Sequence, residues 1–197
     1  MYLSLNDGKP IAIDSKSKYE NIIPEFEWDF QKIVALNDKE YVEKEKILGS
    51  IITTEKPLKP NLRGVTLFAN GRMVNSPEFF GPSESSHFYS YATGWLNVDF
   101  IDNSDDDVIS TNRQSIDWEN EKTAELRKYI ASCLSIVERL WRELRKEKKR
   151  DSITKKTNVN ISDWLSKLPK EVQGKIETIV NMAHIKILGT KQKVYVI

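Results

Sequence analysis

One arginine, Arg113, stands out in the run Asp107-Val-Ile-Ser-Thr-Asn-Arg-Gln-Ser-Ile-Asp-Trp-Glu119. The run lies between an alternating apolar segment and a long amphipathic pattern, which places Arg113 at a strand-to-helix junction. A guanidinium there is carried by rigid elements on both sides yet stays accessible, so its planar fork of donors can meet a phosphate ready-arranged. The plainer alternative is a solvated ion pair with Asp105, Asp106 or Asp107, a contact of ~0–1 kcal/mol. Those three carboxylates lack the alternating Asp spacing and distant Glu of a calcium loop, so they read as a solvated turn. His87 and His184 lack ligand spacing, and no Ser-His-Asp order or carboxylate pair in an apolar setting suggests an independent enzyme. None of the 8 glycines falls in Gly-x-Gly spacing, so no phosphate-cradling loop is present.

The elements around this run must fit an ordinary soluble composition. The 197 residues are 39% hydrophobic and 30% charged, with 30 Lys plus Arg against 29 Asp plus Glu. That length suits one large domain or a domain with an appendage. A net charge of +1 names no partner, although a local basic patch is compatible with it. The single cysteine, Cys133, excludes an internal disulfide and sits on an apolar helical face as a small hydrophobe. No stretch is long and apolar enough for a membrane span, and the N-terminus lacks a signal-peptide pattern, so a cytoplasmic setting is expected.

Asn6-Asp7-Gly8-Lys9 between Tyr2–Leu5 and Pro10–Ile13 predicts a hairpin. A start directly on a hairpin suggests that Met1 lies within a longer protein. Phe26, Trp28 and Phe30 alternate as one aromatic face of a strand over Ile22–Phe30, and Ile47–Thr54 reads as a second strand with a bulge or close approach at Gly49. Arg63–Ala69 and Arg72–Val74 flank Asn70-Gly71, another tight hairpin turn. The Ser76–His87 loop carries Phe79 and Phe80, expected to anchor it to the core. Tyr89–Ile101 reads as a strand bent at Gly94.

From Trp118 onward, Leu126, Ile130, Cys133, Val137, Leu140 and Leu144 form one helical stripe. The basic run Arg142–Arg150 suits the helix C-terminus. Asp151–Asn160 reads as a flexible connection. Ser162 is expected to cap a short helix ended by Pro169, and Lys170–Ile187 a further helix stopped near Gly189, with Lys193–Ile197 a final strand.

Three ordered pieces carry a resemblance: Gly64-Val-Thr-Leu-Phe-Ala-Asn-Gly-Arg-Met-Val74, Tyr91-Ala-Thr-Gly-Trp-Leu-Asn-Val-Asp99, and Asp107-Val-Ile-Ser-Thr-Asn-Arg-Gln-Ser-Ile116 with its helix. Together they resemble the middle, transducer-type domain of GHKL ATPases, the superfamily of gyrase, heat-shock chaperones, histidine kinases and MutL. The likeness is strongest to chaperone-like, histidine kinase-like members, and covers Arg63 to Arg150, somewhat under half the chain. It implies an α+β, ribosomal protein S5 domain 2-like sheet with a long packed helix. The organisation would be a β-rich segment over 1–60, the transducer core over 61–150 and a helical segment over 151–197.

In the family an arginine at the place of Arg113 reaches the γ-phosphate of ATP held by the neighbouring N-terminal domain. The resemblance thus gives Arg113 that contact and Asn112 and Gln114 an orienting role, while Arg72 reads as structural. The Glu-Asn helix, Asp-x-Gly-x-Gly element and glycine-rich lid of the nucleotide domain are absent from this sequence. No cofactor is therefore expected in this chain alone, and ATP and magnesium would be held mainly by the missing domain in the intact protein. The implied partner is that N-terminal nucleotide-binding domain, with protein clients or a homodimer also compatible. The alternative is a non-catalytic module that binds protein through exposed Phe79 and Phe80, or nucleic acid through Arg142 to Lys156.

Overall fold

The computed structural model describes residues 2–3, 11–12, 19–81, 85–102, 108–157, 161–170 and 172–176. The Asn6–Lys9 turn, Asp105–Asp107, His184, Gly189 and the Lys193–Ile197 strand lie outside them, as does most of the Lys170–Ile187 helix.

The chain has the α+β class expected. It divides into two compact units, Met1–Arg139 and Leu140–Ile197. Unit one holds a two-stranded sheet of β1 (Tyr2–Leu3) and β2 (Ile11–Ala12), and a five-stranded mixed sheet. The latter runs β3 (Phe26–Asp29), β4 (Leu48–Thr53), β7 (Ala92–Asn97), β5 (Gly64–Ala69), β6 (Arg72–Met73). Only the β5–β7 pair is parallel.

Side chains alternate across this sheet as a pleat requires. On one face Tyr19, Ile52 and Trp95 cluster with Ile22 and Phe68, and the Tyr19 hydroxyl donates to the Gly94 carbonyl at 2.7 Å. The other face offers Ile51, Val65, Leu67 and Leu96, all fully buried. Helix α2 (Glu121–Thr157) contributes Leu126, Ile130, Cys133 and Val137, also fully buried, to the same unit's core. Each such side chain stabilises the fold by about 1.5–3 kcal/mol.

Turn chemistry followed sequence closely at Asn70-Gly71, where φ is +49° and +72° and β5 returns as β6. Gly49 serves close approach, not a bulge. Its register to Leu96 is unbroken, its φ is +150°, and a Cβ there would strike the Trp95 carbonyl.

Several expectations need correction. Phe30 does not extend the aromatic strand: Asp29 accepts from the Gln31 and Lys32 amides, capping a short helix, α1 (Phe30–Val34), that turns Phe30 fully into the core. Tyr89–Ile101 is a shorter strand than expected, β7 flanked by 3-10 turns at His87–Ser90 and Asp99–Ile101, and pairs without interruption through Gly94. The long helix begins at Glu121, after Asn120 caps the Lys122 amide. It continues to Thr157 through the expected connection, since no Pro or Gly interrupts it. In unit two, α3 (Ile161–Ser166) has Ser162 as its second residue, not its cap, and Leu165 is buried. Among the described residues, no helix is long and apolar enough to cross a membrane.

Candidate functional site

Arg113 sits not at the strand-to-helix junction but at the tip of a small hairpin between β7 and α2. Its legs close through the Ile109–Ile116 bridge, the Asp117 amide to the Val108 carbonyl at 2.8 Å, and the Ser110 amide to the Ser115 carbonyl at 3.0 Å. The Arg113 amide then donates to the Ser110 carbonyl at 2.7 Å. Arg113 itself takes φ +53°, the left-handed conformation that glycine fills most easily. An arginine there costs about 1 kcal/mol of backbone strain. Chain reversal alone gives no reason for that side chain.

Asn112 organises the tip from within. Its Oδ1 accepts from Ser110 Oγ at 2.8 Å and from the Gln114 amide at 3.1 Å, while Ser110 Oγ accepts from the Ser115 amide at 3.0 Å. Gln114 contributes through its main chain, its carbonyl accepting from the Ser76 amide at 2.8 Å. That anchor leads to fully buried Asn75, whose Oδ1 accepts from the Leu67 amide on β5 at 2.6 Å. The tip is thus tied to the central sheet.

The second leg is fixed as firmly. Trp118 meets the edge of buried Phe80, and the Arg127 guanidinium lies 5.5 Å over its ring while pairing with Glu78 at 3.8 Å. Thr123 Oγ1 donates to the Asp117 carbonyl, locking the leg to the start of α2. Phe79 is likewise buried, 4.5 Å from the Tyr89 ring. Both phenylalanines anchor their loop, and neither forms the exposed protein-binding pair of the alternative reading.

Among the described residues the guanidinium has one charge partner, Asp102, with Nη2 to Oδ1 at 3.6 Å. Nη1 is buried with no hydrogen-bond acceptor among the described residues. The side chain keeps 34% of its exposure. Among the described residues a single ion-pair contact, beyond hydrogen-bond length, holds the group, so releasing it toward another anion costs little. Asp102, the residue that faces this guanidinium, was not singled out in the sequence. Its signal was the neighbouring Asn-Gly turn: Asn70 Nδ2 donates to Asp102 Oδ2 at 2.9 Å, and the Asn70 amide donates to Asp99 Oδ1 at 2.7 Å. Arg72, on β6, is exposed.

Beside the hairpin base, a cavity of about 350 Å³ is lined by Tyr41, Val42, Phe100, Ile101, Val108 and Thr123 among others. Burial, with help from Glu43 and Glu125, pushes the Tyr41 hydroxyl up to about 12. The stacked Tyr129, with ring centroids 5.2 Å apart, is also raised, first by burial. Cys133 is buried and its thiol is raised for the same reason, the opposite of a reactive thiolate. Among the described residues, no group of three His, Cys, Asp or Glu side chains could hold a metal ion.

The chain is 30% identical over 150 residues to HgiDII of Herpetosiphon aurantiacus, a candidate type II restriction enzyme; the match covers 74% of this chain and 24% of that protein. The chain thus spans about a quarter of that relative's length. No protein-family profile matches the chain. No solved structure matches it.

Proposed function

We propose that this chain is the transducer segment of a larger GHKL-type, chaperone-like ATPase, and that Arg113 meets the γ-phosphate of ATP bound by a separate nucleotide-binding domain. The observation that carries the reading is Arg113 at a hairpin tip, in a backbone position suited to glycine, with a 3.6 Å contact to Asp102 as the ion pair of its fork among the described residues. A cation delivered from a second domain stabilises charge on the transferring phosphoryl only when the domains dock, which couples hydrolysis to conformation. Asn112 shapes the turn, Gln114 anchors it, and α2 carries the closure onward. ATP and magnesium belong mainly to the partner domain.

The likeness to a type II restriction enzyme supports DNA as the setting in which this ATPase acts. Combining the chain with its nucleotide-binding domain should give ATP turnover that Arg113→Ala lowers by about 100-fold or more. Equal turnover by both proteins removes the assignment.

A further inference from the structure

The cavity of about 350 Å³ beside the hairpin base has no part in the role of Arg113. Two aromatic rings line it, Tyr41 and Phe100, with centroids 6.4 Å apart and planes tilted by 53°. Tyr129 stacks on Tyr41 at 5.2 Å and holds that ring in place. Tyr41 and Phe100 both stay half-buried, and exposed Val42, with buried Ile101 and Val108, extends the apolar lining.

Charge at this cavity is unevenly answered. Its carboxylates are Glu43 and Glu125, and its cation is Lys122. Glu43 pairs with Lys46 at 2.6 Å, and Lys122 is engaged in a contact of its own. The exposed Glu125 carboxylate has no ion pair among the described residues. Burial raises the Tyr41 hydroxyl, and the charges of Glu43 and Glu125 raise it further, so the potential at that ring is negative.

We infer that this cavity binds a small organic cation, a quaternary ammonium compound, against Tyr41 and Phe100 with Glu125 as its counter-charge. The inference is independent of the role proposed for Arg113. The face of an aromatic ring carries negative charge density and attracts a cation without asking it for a hydrogen bond. A quaternary ammonium has no N–H to donate, so rings and one carboxylate suffice, whereas a primary amine would need fixed acceptors on several sides. An anion would meet Glu125 and the negative potential at Tyr41. The volume lies at the low end of the roughly 300–1,000 Å³ usual for small-molecule sites, which suits a ligand of choline's size.

Titration of the 197-residue chain with choline chloride, followed by proton NMR, tests this. The N-methyl signal should move upfield, as protons over a ring face do, with a dissociation constant of about 1 mM. The neutral analogue with carbon in place of the nitrogen should bind at least about 5-fold more weakly. Phe100→Leu keeps apolar bulk but removes a ring, and should weaken choline at least about 5-fold, while Glu125→Gln should weaken it about 2–5-fold. If Phe100→Leu disturbs the fold, the exposed Glu125→Gln change and the neutral analogue still decide. Equal binding of choline and its neutral analogue overturns the inference, as does unchanged affinity in both folded variants or no binding of choline at about 20 mM. A peptide with one trimethylated lysine that binds at least about 10-fold more tightly than choline places the ammonium on a protein side chain and overturns the small molecule.

Discussion

Arg113 Nη2 lies 3.6 Å from Asp102 Oδ1, while the other oxygen of the same carboxylate accepts a 2.9 Å hydrogen bond from Asn70. Asp102 is therefore fixed from the β5–β6 turn, and Arg113 is the more loosely held of the two. A carboxylate beside an anion-binding cation competes with the anion. Asp102→Asn keeps an acceptor for Asn70 but removes that competition, so KM for ATP should fall by up to about fivefold with kcat little changed, as befits an ion pair of ~1 kcal/mol. Steady-state kinetics with the nucleotide-binding domain present reads the split. A raised KM would mean that Asp102 assists phosphate binding.

The left-handed Arg113 separates stability from function. Arg113→Gly removes the strain at φ +53° and should raise unfolding free energy by up to about 1 kcal/mol, while ATP turnover is lost. Urea titration and an ATPase assay on one preparation test both. Lower stability would show that the guanidinium is a structural pin.

Asn75 links the hairpin to the sheet. Asn75→Ala leaves the buried Leu67 amide without its acceptor and releases the segment that holds Ser76 on Gln114, at a cost of about 1–3 kcal/mol. Thermal unfolding reports the cost, and amide exchange at Ser76 should accelerate. Unchanged protection at Ser76 would show that the anchor does not depend on Asn75.

Alkaline stability should report the half-buried Tyr41. The folded value of Tyr41 is raised to about 12, above its ordinary 10.0, so the folded state holds the proton more tightly. That contribution is complete below about pH 10 and is lost as pH rises toward 12. Denaturant midpoints should decline across this interval, and Tyr41→Phe should flatten part of the decline. A midpoint that rises there would reverse the sign of the linkage.

Local sequence signals were legible wherever one residue type dictates the backbone. Asn70-Gly71 announced its turn, and the steps of four and three from Leu126 to Val137 announced the buried helical face. Cys133, Phe79 and Phe80 all took the structural roles that burial favours. What escaped was set by competition and by distance. Alternation predicted Phe30 on a strand, but a capping Asp29 next to it favoured helix. The hairpin around Arg113 has no glycine to mark it, because the position that would ordinarily carry one carries the arginine. The tie to Asp102 spans eleven positions, and no spacing rule reports a carboxylate chosen by a fold.

The central claim is that the guanidinium of Arg113 recognises the terminal phosphate of a nucleotide held by another domain. Isothermal titration of the chain into its nucleotide-binding domain, loaded with a non-hydrolysable ATP analogue or with ADP, tests it most directly. Wild type should bind the triphosphate form at least about 10-fold more tightly, and Arg113→Ala should bind the two forms alike. A variant that keeps the full preference for the triphosphate form contradicts the account.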